Sequence, residues 1–221
     1  MTNRLIRSGL SFVAASLLAL PLAGLSSADA ASFRDISDSS AKTQIEALYQ
    51  KGLIKGVTSS EFQPNQQLTA AQGISLIVQS FNLNLDAVRF IKAPKASDYF
   101  AKVKDSDWSA QAFVIAQIFD FDVPSDIDPG AALTKEQFTY YLVKGMERSS
   151  GLPLINIKPV ELKDDAKITA VYQGAIQRSF HYGIQSPGAD NSFHPQDPVT
   201  RAEAAVMVYN ALEYLKSHPA P

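Results

Sequence analysis

What this sequence lacks excludes most chemistry before any motif is sought. It has no cysteine, so it carries no disulfide framework, no thiolate-ligated zinc and no thiol nucleophile. Its three histidines, His181, His194 and His218, are few for a centre built on imidazole. His181 and His194 lie 13 residues apart on either side of a loop and are not read as a metal pair. An excess of one charge is also missing. Twenty Lys and Arg stand against 22 Asp and Glu with no basic block, which argues against nucleic acid or an anionic membrane surface as partner. No Ser/His/Asp order, nucleophile elbow or phosphate-cradling loop is present. The acidic run Asp120, Asp122, Asp126 and Asp128 alternates with Phe121 and Val123 and lacks the spacing of a calcium loop. It reads as a solvated turn, and neither it nor Asp164-Asp165 is taken as a catalytic carboxylate pair. A chain that is 46% hydrophobic and 19% charged has enough apolar side chains for a core. No enzyme activity and no cofactor are expected.

The first thirty residues read as a leader. Arg4 and Arg7 form a short positive region, Ser8 to Leu25 runs without a charge, and Ala28-Asp29-Ala30 places small residues before a cleavage point after Ala30. The run is at the edge of spanning length, but Pro21, Gly24 and the small-residue end favour removal over a retained anchor. The expectation is export, with residues 1–30 a signal peptide and no membrane contact after cleavage.

The remainder repeats itself. KGLIKGVTSSEFQPNQQLTAAQ around Gly52 aligns with YGIQSPGADNSFHPQDPVTRAE around Gly183. Gly52 to Phe62 and Gly183 to Phe193 are both ten residues, and Pro64 and Pro195 each stand five before a threonine, Thr69 and Thr200. Ile127-x-Pro129, five before Thr134, gives a weaker middle copy, and the threonines are 65 and 66 residues apart. Phe33-Arg34-Asp35, Val103-Lys104-Asp105 and Leu162-Lys163-Asp164 open the three units with one apolar-x-Asp pattern.

Each unit reads as two helices joined by a turn-rich loop. The first helices carry Ile45, Leu48 and Tyr49; Trp108, Ala112, Ile115, Ala116 and Phe119; and Ile168, Val171, Tyr172, Ala175 and Ile176 at helical spacing. Gly52 sits where a glycine ends a helix. Thr69-x-x-Gln72, Thr134-x-x-Gln137 and Thr200-x-x-Glu203 are capping boxes that start the second helices, with Leu68, Leu133 and Val199 before them. The second helices carry Ile74, Ile77, Val78 and Phe81; Phe138, Tyr141 and Leu142; and Ala205, Val208 and Leu212. Two helices cannot enclose a core, so the units must bury their faces against one another. The expected organisation is repeat 1 at 31–81, a connector at 82–102, a divergent repeat 2 at 103–145, a connector at 146–161 and repeat 3 at 162–221, all in one all-α compact array.

The opening Phe-x-Asp, a helix ending Lys-Gly-Leu-Ile-x-Gly, the Phe-x-Pro loop and a Thr-Arg-Ala-Glu helix start together resemble the S-layer homology module. Residues 33–81 and 162–212 match that pattern well and 103–145 loosely. The resemblance implies three helix-loop-helix modules in a pseudo-threefold assembly, a monomer with internal repeats. It further implies a secreted protein of the cell surface that attaches without covalent bonds to a wall polysaccharide, often one bearing a pyruvate ketal. Only Thr200-Arg201-Ala202-Glu203 keeps the family motif; Thr69-Ala70-Ala71-Gln72 lacks the cation, and Thr134-Lys135-Glu136-Gln137 has Lys135 in its place.

The candidate carbohydrate-binding residues are Arg201, Glu203, Asp190 and Lys135. A pyruvate ketal is a permanent anion, and an arginine at a helix start would meet its carboxylate with a planar fork beside free amides; lysine keeps the charge and loses the fork. Thr200 and Glu203 are also accounted for by the cap alone, and Asp190 by turn chemistry. Arg201 is not needed by the cap, so its removal is expected to leave the melting temperature nearly unchanged. Trp108 is expected to pack between helices rather than to stack on sugar. The other reading, with two of three motifs altered, is an interaction module of the same fold whose sugar sites have decayed and which contacts an envelope protein. The leader makes its own prediction: the exported chain should begin at Ala31, and N-terminal sequencing that finds Met1 in the wall fraction would show the apolar run retained.

Overall fold

The computed structural model describes residues 33–152 and 156–219; the leader and its cleavage point lie outside the described residues. Among those described there are six α-helices and no strand: α1 (Lys42–Gln50), α2 (Ala70–Ser80), α3 (Ala110–Ile118), α4 (Lys135–Ser150), α5 (Ala170–His181) and α6 (Arg201–Ser217). The protein is all-α, as the pattern predicts.

The second helix of every unit begins in a complete capping box. Thr69, Thr134 and Thr200 accept from the amides of Gln72, Gln137 and Glu203 at 3.3, 3.3 and 3.2 Å, and those side chains return to the threonine amides at 3.1, 3.0 and 2.8 Å. A cap of this kind leaves the next two amides of the helix unpaired. Here they donate to the loop of another unit. Ala70 and Ala71 reach the carbonyls of Ala131 and Pro129, Lys135 and Glu136 those of Asp197 and Pro195, and Arg201 and Ala202 those of Gln66 and Pro64, all at 2.8–3.1 Å. One residue before each cap the chain closes a ring. The Leu68 N–H donates to Val199, Val199 to Leu133, and Leu133 back to Leu68, at 2.9–3.0 Å. The proline that recurs five residues before each threonine is thus a carbonyl acceptor for a neighbouring helix start.

Below this ring α2, α4 and α6 pack on one another, while α1 lies on α6, α3 on α2 and α5 on α4. The first helix of each unit therefore covers the second helix of a different unit. The inward faces are those the periodicity marks: Ile74 and Ile77, Phe138 and Leu142, and Val208 are buried. Leu212 is only partly buried, and Val171 is exposed because α5 turns Tyr172, Ala175 and Ile176 toward the core instead. The stretch 82–102 is more than a spacer, since Ala96 and Phe100 reach the core.

Each first helix ends in the same six-to-one closure. Leu53 donates to Leu48, Phe121 to Ala116 and Ile184 to Ser179. Gly52 and Gly183 take the positive φ this motif needs (71° and 64°). The middle unit places Asp120 there at φ 56°, with its carboxylate 2.8 Å from Arg148. Asp122 accepts from the Tyr140 hydroxyl and lies 3.2 Å from Lys144. The Tyr140 hydrogen bond, with help from Lys144 and against the effect of burial, lowers the Asp122 pKa. The acidic run is therefore not simply a solvated turn, because half of it is tied to α4.

The opening aspartates clamp the loops. Asp35 takes the amides of Phe62 and Gln63 at 2.9 and 2.6 Å, and Asp164 those of Phe193 and His194 at 2.8 and 2.7 Å. Gln63 and His194 both have positive φ (58° and 59°), which aims two successive amides at one carboxylate. In the middle unit Asp105 turns instead to the amide and hydroxyl of Ser97 at 3.0 Å.

Two outcomes follow from this packing. Leu142, fully buried in α4, should cost about 2–5 kcal/mol on Leu142→Ala, seen as one cooperative thermal transition shifted down rather than one unit melting early. Burial raises the Asp164 pKa, but the amides of Phe193 and His194 more than offset it, and the net shift is downward. A depressed carboxylate contributes stability that is present above its unfolded value, about 3.9, and is lost as pH falls through the folded value. Asp164→Asn should lower stability at pH 7 by roughly 1.5–3 kcal/mol and flatten the loss below about pH 4, as measured by urea melts across pH.

Candidate functional site

The first residue of α6 is Arg201, and its side chain leaves its own unit to enter the loop of the first. Its Nε donates to the Phe62 carbonyl and Nη2 to the Lys55 carbonyl, both at 2.9 Å. The guanidinium lies 4.4 Å from the Phe62 ring centroid, a cation–π contact. Phe62 is thus held at three points: its amide by Asp35, its carbonyl and its ring by Arg201. Burial lowers the Arg201 pKa, with the charge of Asp35 acting the other way; the group stays a cation. This corrects the expectation that the arginine is dispensable to stability. Two hydrogen bonds and a stacked ring join the last unit to the first.

Arg201 borders a groove of about 590 Å³ whose walls include Leu53, Val57, Phe62, Leu76 and Trp108. Trp108 is 71% exposed, which overturns the expectation that it packs between helices. The cause is local. The Asp107 carboxylate accepts the Lys104 amide at 2.8 Å and its carbonyl the Ala110 amide at 3.0 Å, so the chain turns at 104–107 and α3 starts only at Ala110. The indole is left on the rim of the groove that holds the arginine. A planar cation with N–H donors still unused beyond those two bonds, an exposed aromatic face and apolar walls can hold an anionic ring compound.

A second groove of about 640 Å³ repeats the plan with different residues. Lys135, first residue of α4, stands in the position that Arg201 has in α6, and its ammonium lies 5.1 Å from the Phe193 ring centroid. Around it are Ser39 and Ser40, Gln185, Glu203 and Asn210. Glu203 is therefore brought to Lys135 and not to Arg201. One of its carboxylate oxygens, Oε2, is occupied by the amide and hydroxyl of Thr200, each at 2.8 Å. The third position is Ala70, beside a smaller hollow of about 250 Å³ lined by Pro124, Ile127, Asp128 and Gln137. There neither the cation nor the aromatic ring beneath it is present.

Asp190 lines none of these grooves. Its Oδ1 accepts the Ser192 amide at 3.1 Å, a bond that lowers its pKa, and Oδ2 lies 3.8 Å from His194. It shapes its own turn.

Two features escape the sequence argument. Glu136 is buried at 3% exposure and accepts from the backbone amide and hydroxyl of Thr169 at 2.9 and 2.8 Å and from the Gln196 side-chain Nε2 at 2.9 Å. From α4 it thus anchors Thr169, the residue that precedes α5. The loop clamp by Asp35 and Asp164 is the other; the recurring apolar-x-Asp was its signal.

Comparison with known proteins agrees with this architecture. The chain is 29% identical over 184 residues to an amylopullulanase of Thermoanaerobacterium thermosulfurigenes, covering 82% of this chain and 9% of the relative. It is 28% identical over 184 residues to exoglucanase XynX of Acetivibrio thermocellus, covering 82% of this chain and 16% of the relative. An endoglucanase of Bacillus sp. (strain KSM-635) is 23% identical over 177 residues, 79% of this chain and 18% of the relative. The chain thus spans less than a fifth of each of these relatives. The family model of the S-layer homology domain matches residues 32–72 and 161–205, so the two helix-loop-helix units that contribute Phe62 and Arg201 to one groove are the two that this model matches.

Proposed function

We propose that this is a non-catalytic exported protein that attaches to the cell wall by holding an anionic polysaccharide, one whose sugar carries a ketal-linked pyruvate, in the groove of Arg201 and Trp108. The observation that carries the reading is the arginine's geometry. Its guanidinium is fixed by the carbonyls of Phe62 and Lys55 and faces the same groove as an exposed indole. A carboxylate there gains a charge-assisted contact, and a ring gains an aromatic face. Lys135 with Glu203 offers a second, weaker groove, and the Ala70 position none. The relatives are named as polysaccharide-degrading enzymes, and this chain corresponds to a small part of each; in this reading the shared part is the attachment part.

The bare Ala70 position favours a second reading in which the fold contacts an envelope protein and sugar binding has been lost. Binding of the exported chain to purified wall polysaccharide separates the two. Trp108→Ala should weaken binding about tenfold, as loss of an aromatic face against a ring does, with the melting temperature unchanged because the indole is exposed. Arg201→Lys should weaken it comparably through loss of the fork, and should also lower stability by roughly 1 kcal/mol or more through the lost carbonyl bonds. Polysaccharide stripped of pyruvate should bind as poorly to the wild type as intact polymer does to Arg201→Lys. Undiminished binding by Trp108→Ala, or of the stripped polymer, sinks the sugar groove, and no binding by the wild type leaves the protein-contact reading.

A further inference from the structure

Between α2 and α3 the chain runs through Asp86-Ala87-Val88-Arg89-Phe90-Ile91-Lys92-Ala93, eight consecutive exposed residues. Three of them are large and apolar: Val88, Phe90 and Ile91 are 39%, 38% and 110% exposed. Clusters of this kind at one tip are unusual on a soluble surface, where scattered single apolar residues are the rule. The loop is not a poorly anchored end. The Val88 amide donates to the Leu85 carbonyl at 2.9 Å, and the chain returns to the core at Ala96 and Phe100. Arg89 and Lys92 alternate with the apolar side chains, and neither forms an ion pair among the described residues. Against them stands one acid, Asp86 at the start of the run, so the stretch carries a local excess of one positive charge that the near-zero charge of the whole chain conceals.

We propose that this loop is a membrane-contact finger that inserts Phe90 and Ile91 into the interface of a bilayer bearing anionic lipids, with Arg89 and Lys92 against the headgroups. Two observations favour lipid over a protein partner. The apolar residues occupy an unbroken exposed turn with Ile91 at full exposure, whereas a protein partner needs an interface of about 1,000 Å² with shape complementarity. A bilayer interface needs neither. The interleaving of cations with an aromatic and an aliphatic side chain also matches what anionic lipid surfaces attract. A second copy of the chain is disfavoured, because a twofold contact at this tip would oppose Arg89 and Lys92 to themselves. With two cations, each strengthening attachment roughly fivefold, and two inserted side chains, binding is weak and reversible. It would add to a wall attachment made elsewhere on the molecule and does not depend on it.

The absence of cysteine makes the loop directly readable. Ile91→Cys in the full chain takes a single environment-sensitive fluorophore, with Val57→Cys in the sugar groove as the control site. On vesicles containing about a third phosphatidylglycerol, the probe at position 91 should shift to the blue and become quenchable by lipids brominated in the acyl chain. The probe at position 57 should not. Arg89→Ala with Lys92→Ala should weaken the response at position 91 about tenfold or more, as should raising the salt. A probe at position 91 that stays in water on these vesicles overturns the proposal, even if residues 1–30 hold the chain to the lipid. So does equal insertion into pure phosphatidylcholine. Loss of binding to a purified envelope protein on Phe90→Ser with Ile91→Ser, without any lipid response in the wild type, would assign the finger to that protein instead.

Discussion

The structure depends on what happens to the amides at three helix starts. A capping box satisfies the third turn residue and its own cap but leaves the first two helical amides without acceptors. In this chain they are satisfied only by the carbonyls of another unit's Pro-containing loop, and the residues before the caps, Leu68, Val199 and Leu133, bond in a closed ring. No unit can complete its own second helix alone. That constraint forces the three loops together, sets α2, α4 and α6 side by side, and fixes where the residue after each cap must project.

The groove chemistry follows from the same constraint. Ala70, Lys135 and Arg201 are each the first residue of a second helix, and each is delivered to the loop of a different unit by the amide that precedes its side chain. The ring under the cation belongs to the receiving loop. Arg201 finds Phe62 and Lys135 finds Phe193. The middle loop has Ile127 where the others have phenylalanine, and Ala70 is the residue sent to it. Cation and aromatic are lost together. The same loop has released its aspartate clamp, since Asp105 turns to Ser97, and the chain before it is tied to α4 through Asp120 to Arg148 and Asp122 to Lys144.

Legibility in the sequence tracked the span of the interaction. The capping boxes join residues three apart, so Thr69, Thr134 and Thr200 could be read as helix starts from spacing alone, and the all-α class with its buried faces came with them. Helix ends at Gly52 and Gly183 were equally local. Trp108 was misplaced because periodicity extended α3 backwards through a turn that Asp107 enforces. Arg201 was recognised as a candidate, but its carbonyl partners lie 139 and 146 residues away, and no spacing rule reaches that far. Glu136 was missed for the same reason, its partners being 33 and 60 residues off. Asp190 is the local case, since the turn role that its sequence setting already allowed is seen in its bond to the Ser192 amide.

The arginine's double employment explains why one groove stands apart from the other two. An unrestrained arginine gives up about 2 kcal/mol of rotamer freedom when it is ordered. For Arg201 that entropy is already lost on folding, since the carbonyls of Phe62 and Lys55 and the Phe62 ring hold the guanidinium in place. A carboxylate entering the groove meets a fork that needs no further ordering, which is the physical content of preorganisation. Lys135 is held by its ring contact at 5.1 Å and presents a rotatable point charge, so a ligand there must order the side chain itself. The coupling also runs in reverse. Because the guanidinium ties the last unit to the first, the anion of the proposed function would sit on the seam between them, and its occupancy of the groove would stabilise the fold by mass action. In the proposed function, binding and closure of the array would then share one contact.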